Sequence, residues 1–255
     1  MRRLSASVVM YGGEDEVKRC LNSLAAYTKD TPALYLVDNA SPGGALERLQ
    51  ATGLPAEVQV LPQSKNLGYG GGHNTVLPLL DSRYHAVVNP DIEVHSDVLG
   101  AMADWMDKHP EAVMTTPKLL FPDGRVQNIA KRRPALLPLL ARQLHLGFLK
   151  KHEDHYLMLD EDLSVPTEVE FCSGSFFVIR TEVLRKIGGF DEGYFMYVED
   201  ADITQKARQC GKAFFLPEVQ VTHAWHRAAH RRPRQFWWQL RSMGRYFRKW
   251  GFRWR

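Results

Sequence analysis

The apolar run Ser5 to Tyr11 centres on Val8 and Val9 and breaks at Gly12-Gly13, after which Val17, Leu21 and Leu24 recur at spacings of three and four. A short apolar run closed by glycine reads as a buried strand, and the period that follows as an amphipathic helix. The unit repeats. Leu34 to Val37 is a second predicted strand ending in Asp38-Asn39, Val58 to Leu61 a third, and Tyr84 to Val88 a fourth, stopped by Asn89-Pro90-Asp91. Ser96 is placed to cap a helix through Trp105, and Ala112 to Thr116 reads as the next strand. This alternation predicts an α/β fold with a mostly parallel central sheet flanked by helices.

Beyond it, the leucine-rich stretch Ala135 to Leu149 is interrupted by Pro138 and Arg142 and falls short of the ~20 apolar residues that span a bilayer. Val169 to Ile179 reads as a strand, Thr181 as the cap of a short helix, and Gly188-Gly189-Phe190-Asp191 as a turn. Lys212 to Leu216 reads as a strand leading to a loop at Pro217. At the end of the chain Phe236, Leu240, Met243, Phe247 and Trp250 recur at helical spacing, with arginines and lysines largely elsewhere on the wheel. The expected organisation is a catalytic domain over 1–226 and a basic, aromatic helical tail over 227–255.

In such sheets ligands bind beyond the carboxyl ends of the strands. Three of the first four predicted strands end there in Tyr11, in Asp38 and in Asn89-Pro90-Asp91. A carboxylate such as Asp91 can bridge Mg²⁺ or Mn²⁺ to a diphosphate, although Asn-Pro-Asp is also ordinary turn chemistry. Glu199, Asp200 and Asp202 crowd three carboxylates into four residues at a predicted helix start. Helix capping accounts for some of that charge, and mutual repulsion that raises a pKa into the range of a general base for the rest. His223 and His226 follow a strand, where an imidazole is either a metal ligand or a hydrogen-bonded edge residue. The glycines from Gly68 to Gly72 do not fit a dinucleotide fingerprint, whose third glycine would fall on His73; they read as a close backbone approach to a ligand or as a flexible loop.

Charge and cysteines refine the picture. The chain carries a net +4, yet residues 227–255 hold ten Lys or Arg and no acidic residue, so the body is net acidic. Such a tail, with Trp237, Trp238, Trp250 and Trp254, suits an anionic membrane surface. Three cysteines without metal-ligand spacing, and no cleavable leader after Met1, fit a reducing cytoplasm.

Taken in order, these motifs resemble the family 2 inverting glycosyltransferases of GT-A fold, within them the rhamnosyltransferase-like group. The resemblance covers residues 4 to 226 and rests on Val37-Asp38-Asn39, on the loop Lys65-Asn66-Leu67-Gly68-Tyr69-Gly70-Gly71-Gly72, on Asn89-Pro90-Asp91, and on Gly188 to Glu192 with Phe195 to Asp202. It implies a donor site of Tyr11, Asp38, Lys65, Asn66, Gly71 and Asn89, a Mn²⁺ or Mg²⁺ ion on Asp91 and His223, Asp200 as general base, and Asp191 and Glu199 on the acceptor side. The implied donor is dTDP-rhamnose, with a UDP-sugar behind it, and the implied acceptor a cell-surface glycan or its lipid-linked precursor. The enzyme would work in the cytoplasm against the inner face of the membrane. Gly12 stands where the family often has Asn, and Asn89 where a D-x-D motif has its first Asp, with Glu93 as a helper ligand. Two other classes compete. A nucleic-acid-binding protein would act through the basic tail, against the acidic body. A nucleotidyltransferase would need a basic glycine loop after the first strand, where Gly12-Gly13-Glu14-Asp15 is acidic.

Overall fold

The computed structural model describes residues 2–138, 147–224 and 233–254. Strand β1 (Arg2–Met10) is buried from Leu4 to Met10, leads through Gly12 and Gly13, both at positive φ, into helix α1 (Glu14–Tyr27), and is flanked by β2 (Ala33–Asp38) and β4 (Ser82–Val88). Val17, Leu21 and Leu24 are the buried face of α1, as their spacing requires. Helix α2 (Ala45–Ala51) and strand β3 (Val58–Pro62) complete an all-parallel half, in which Met10 pairs with Asp38 and Asp38 with Pro62. The strand ends therefore align along one edge, which sets Tyr11, Asn39 and Asn89 side by side.

Chain order across the ten-stranded sheet is β3-β2-β1-β4-β9-β6-β10-β5. Here β5 is Ile92–Glu93, β6 is Ala112–Leu120, β9 is Phe176–Arg180 and β10 is Lys212–His223; β7 (Val126–Gln127) and β8 (Thr167–Glu168) pair with β6 and β10. β6 and β10 are parallel, and β9 enters antiparallel between β4 and β6.

Several predicted boundaries move, each for a local reason. The helix after β4, α4 (Val98–Lys108), is capped by Asp97 and not Ser96, because the Asp97 carboxylate accepts the Gly100 amide at 3.0 Å. Only the second half of Val169 to Ile179 is strand. Its first half gives its amides to other partners, Val169 to the Ala213 carbonyl, Cys172 to the Thr204 hydroxyl and Gly174 to Asp200. Thr181 is the first residue of helix α6 (Thr181–Lys186), not its cap, which is Arg180. Pro217 does not end a strand: β10 runs on past it through a register shift between Leu216 and Gln220. The leucine-rich stretch lies partly outside the described residues and leads into α5 (Lys150–Tyr156). Trp225 and His226 lie outside them as well.

Glycines 70 to 72 sit inside helix α3 (Gly68–Asn74), and their openness serves packing. A Cβ on Gly72 would stand 2.8 Å from Val9 Cγ1, one on Gly71 3.1 Å from Leu67 Cβ, and one on Gly70 2.7 Å from Phe190 Cβ. These glycines thus neither form a flexible loop nor bare the backbone to a ligand; they let α3 lie close to β1 and Phe190. Gly70→Ala is expected to destabilise the fold by about 1–3 kcal/mol, overpacking outweighing the roughly 1 kcal/mol of helix propensity gained, as read by chemical denaturation.

The tail forms helix α8 (Pro233–Trp250). The face it buries is centred one step from the predicted stripe: Ser242, Tyr246 and Phe247 are buried, while Leu240 is 43% exposed. Tyr246 and Phe247 form a second small core with Phe171, Tyr194 and Ala201, against helix α7 (Glu199–Arg208).

Candidate active site

Two half-sites flank Tyr69. On one side, a cavity of about 550 Å³ opens beyond the strand ends and is lined by Tyr11, Asn39, Asn66, Asn89, Asp91 and Tyr69 among others. Tyr11 is 60% exposed along its rim. Asn39, buried at the end of β2, organises the wall: its Nδ2 donates to Asn66 Oδ1 (3.0 Å) and to the Gly68 carbonyl (2.9 Å), and its Oδ1 accepts the Leu67 amide (2.9 Å). Asn66 Oδ1 also accepts the Gly68 amide, which fixes the turn into α3 at the positive φ of Gly68.

At the far end of this cavity the antiparallel pairing of β5 with β10, Ile92 opposite His223, brings Asp91 to the histidine. Gln127 on β7 orients that ring. Its Nε2 donates to the His223 carbonyl at 2.9 Å, which turns its Oε1 toward His223 Nδ1 at 2.8 Å. An amide oxygen only accepts, so Nδ1 holds the proton and Nε2 presents its lone pair. Asp91 Oδ1 lies 3.3 Å from Nε2. With the imidazole neutral both atoms are acceptors, and what reconciles two acceptors at that distance is a shared proton or a cation. A carboxylate oxygen and an oriented imidazole suit Mn²⁺ or Mg²⁺. Among the described residues no group of three or more His, Cys, Asp or Glu is gathered to hold a metal, so such an ion would complete its shell from a diphosphate and water. Glu93 is engaged elsewhere, accepting from Arg19 Nε at 2.8 Å.

On the other side of Tyr69 are Glu199 and Asp200, at the start of α7. Tyr197 and Val198 precede them at φ 71° and 69°, a left-handed pair that is costly for a β-branched valine. Two elements hold the strain: the Met196 carbonyl accepts from Ser242 of α8 at 2.9 Å, and the Phe195 carbonyl accepts the Tyr69 amide at 3.1 Å. Asp200 accepts the Gly174 amide on Oδ2 (3.1 Å) and the Ala201 amide on Oδ1 (2.9 Å). Burial raises its pKa above the usual carboxylate range, against those bonds. Burial, then the charge of Asp200, pushes Glu199 up to about 8. Asp202 does different work. It is fully buried and accepts from Lys249 Nζ (2.8 Å) and Trp250 Nε1 (2.7 Å) of α8.

Tyr69 joins the halves. Its hydroxyl donates to the Gly174 carbonyl, and the Gly174 amide donates to Asp200. Burial holds its phenol well above its ordinary pKa, reinforced by charges from both sides, Glu199, Asp200 and Asp91.

Of the residues singled out in the sequence, the structure brings Tyr11, Asn66, Asn89, Asp91 and His223 to one half-site and Asp200 and Glu199 to the other. It leaves four aside. Lys65 is exposed outside the cavity walls, Gly71 is packed in α3, and Asp38 is buried with its carboxylate on the Ser41 amide at 3.1 Å. Asp191 accepts from Arg245 (2.7 Å) and Lys249 (3.1 Å) of α8; burial opposes its charge, but those cations hold its pKa down to about 2. Asn39, Tyr69 and Gln127 were not singled out. Asn39 and Tyr69 stood inside quoted motifs, whereas a two-residue strand at Gln127 carries no local signal.

The Glu199 shift fixes the sign of a pH effect. Its folded pKa, about 8, lies above its ordinary 4.5, so the folded form prefers the proton and stability falls as pH rises from about 4.5 through about 8. The thermal midpoint is expected to drop across that window, and Glu199→Gln to flatten the drop in a differential scanning fluorimetry series.

A parallel half-sheet joined to a mixed half, with a His–carboxylate pair and a buried carboxylate pair beyond the strand ends, defines a GT-A glycosyltransferase fold. The chain belongs to glycosyl transferase family 2, whose pattern matches residues 5–188, and it is a glycosyltransferase. It is 28% identical over 237 residues to the N-acetylglucosaminyl-diphospho-decaprenol L-rhamnosyltransferase of Mycobacterium tuberculosis, covering 86% of this chain and 75% of that protein. It is 27% identical over 254 residues to the rhamnosyltransferase WbbL of Escherichia coli K12, covering 94% and 90%. Two solved structures share this architecture. GalNAc-T7 with UDP, GalNAc and Mn²⁺ superposes with a TM-score of 0.72 at 17% identity over 97% of this chain and 48% of that one. Staphylococcus aureus TarS 1-349 with UDP-GlcNAc does so with a TM-score of 0.62 at 20% identity over 89% and 60%. Glu199, Asp200, His223 and α8 all lie beyond the matched 5–188.

Proposed function

We propose that this glycosyltransferase inverts the sugar it transfers, rhamnose from dTDP-rhamnose before any UDP-sugar, onto a hydroxyl of a lipid-linked glycan precursor of N-acetylglucosaminyl-diphospho-polyprenol type. The observation that carries the reading is that Tyr69 lines the cavity with Asp91 and is joined through Gly174 to Asp200, which brings the Asp91–His223 pair and the Glu199–Asp200 pair to one residue. Asp91 and His223 would hold Mn²⁺ or Mg²⁺, which would supply positive charge to offset that of the departing diphosphate. Tyr11, on the cavity rim, serves the base, and Asn66 and Asn89 the rest of the donor, while Asp38 holds the Ser41 turn behind that wall. Asp200 takes the proton of the acceptor hydroxyl on the face away from the diphosphate. Glu199 faces the acceptor with it, and Asp191 serves that side by seating α8. The rhamnosyltransferase relatives favour the sugar and the acceptor. Transfer from dTDP-rhamnose to a synthetic N-acetylglucosaminyl-diphospho-prenol tests the whole; transfer from a UDP-sugar alone would overturn the donor choice.

The division into a catalytic region, 1–226, and a tail, 227–255, is one of labour. Among the described residues no helix is long and apolar enough to cross a membrane. Trp237, Leu240, Phe252 and Trp254 are exposed beside the exposed Arg241 and Arg248, a composition that suits the anionic inner face of the cytoplasmic membrane. Flotation with anionic liposomes is expected to fall several-fold when Trp237, Leu240 and Phe252 are all changed to Ala. Equal flotation would exclude the tail as the contact.

A further inference from the structure

Helix α8 meets the segment from Asp191 to Asp202 through Trp238, Ser242, Arg245 and Lys249, spaced by four, three and four residues and so set on one face. The Trp238 ring lies against that of Phe195, centroids 4.7 Å apart, and Arg245 lies over the Tyr194 ring. Arg245 and Lys249 bond side chains, those of Asp191 and Asp202. Ser242, 5% exposed, differs: its hydroxyl donates to a backbone atom, the Met196 carbonyl, at 2.9 Å. That carbonyl stands immediately before the left-handed pair Tyr197 and Val198. Glu199 and Asp200 follow the pair directly as the first turn of α7, so its torsions set where both carboxylates stand. A β-branched valine does not hold φ 69° unaided.

We propose that Ser242 is a positioning residue for transfer: its bond to Met196 keeps Tyr197 and Val198 left-handed and thereby aims Asp200 at the acceptor hydroxyl. The inference rests on the reading of Asp200 as the base. The Phe195 carbonyl, which accepts the Tyr69 amide, fixes the chain before Met196, and the Asp202 amide, 3.0 Å from the Val198 carbonyl, fixes it after the pair. Ser242 holds the peptide between those two points. Without it that peptide is free to turn, and the pair relaxes toward the negative φ that valine prefers. The turn draws the Asp200 carboxylate off the Gly174 amide, which it accepts at 3.1 Å. A misplacement of about 1 Å at a reacting group costs rate on the order of 10²-fold, so a hydroxyl that never touches substrate still governs turnover. The tail helix, which lies outside the region the family pattern matches, thus takes part in the reaction by setting the aim of the base.

The test is a double-mutant cycle of Ser242→Ala and Val198→Gly in the full chain, with two readouts. One is kcat and donor KM for transfer from dTDP-rhamnose to a synthetic N-acetylglucosaminyl-diphospho-prenol; the other is hydrogen exchange of the Gly174 amide, which needs no substrate. Ser242→Ala is expected to lower kcat about tenfold, with the donor KM within about twofold of wild type, and to speed exchange at Gly174 about tenfold. Glycine adopts positive φ without help, so in the Val198→Gly background the same change is expected to move each readout less than about threefold. A Ser242→Ala variant whose exchange at Gly174 stays within about twofold of wild type, or effects of equal size in both backgrounds, overturns the proposal. Asp200→Asn separates the two readings: normal transfer by that variant refutes the base, while exchange at Gly174 judges the positioning on its own.

Discussion

Asp200→Asn is expected to slow transfer by a factor on the order of 10²–10⁴ while leaving donor-induced thermal stabilisation intact. The reason is positional. Asp200 lies across Tyr69 from Asp91 and is held by the Gly174 and Ala201 amides, bonds that the amide oxygen of Asn can keep in part while its basicity is gone. A variant that transferred sugar at the wild-type rate would remove Asp200 from the role of base. The pH profile carries a second signature. Burial raises the carboxyl of Asp200 above its ordinary value, so the base is freed as pH rises and the transfer rate should climb along a limb displaced to higher pH than an ordinary carboxylate gives.

Asp91→Asn is expected to eliminate the metal-dependent part of donor stabilisation, and Gln127→Ala to weaken metal affinity about 10- to 100-fold with Asp91 and His223 both in place. The second expectation is the sharper one, because Gln127 touches the histidine and no donor atom. Without its amide oxygen nothing pins the proton to Nδ1, and Nε2 no longer presents a fixed lone pair. Thermal shift at fixed donor concentration, titrated with Mn²⁺, reads both: a ligand at 100 times its Kd stabilises by about 2.7 kcal/mol. An unchanged Mn²⁺ midpoint in Gln127→Ala would exclude the orienting role.

Much of the site could be read along the chain because its parts are local. Tyr11, Asp38 and Asn89-Pro90-Asp91 follow strands whose apolar runs mark where each one ends. The carboxylate cluster at 199–202 was equally visible, but its internal division was not. Asp202 is one helical turn from Glu199, yet it faces Lys249 and Trp250, a contact made across 47 residues. Asp191 is the same case, joined to Arg245 and Lys249. A sequence reading gives carboxylates near a motif to the motif, and only the docked helix shows which are spent on structure. The glycine run failed for a related reason: Val9 and Phe190 fill the space above Gly72 and Gly70, and both are remote in sequence.

The sequence by itself determined the alternating strands and helices, the edge on which ligands gather, and the basic amphipathic tail, all features of period and spacing within a few residues. Tertiary structure decided which groups meet. A two-residue strand sets Asp91 against His223, Gln127 fixes the tautomer, Tyr69 bridges the halves, and the tail helix bonds the strained turn before Asp200 while anchoring on Asp191 and Asp202. Those pairings depend on long-range packing, whose free energy comes from burying surfaces that are far apart along the chain, and no local pattern encodes the partner.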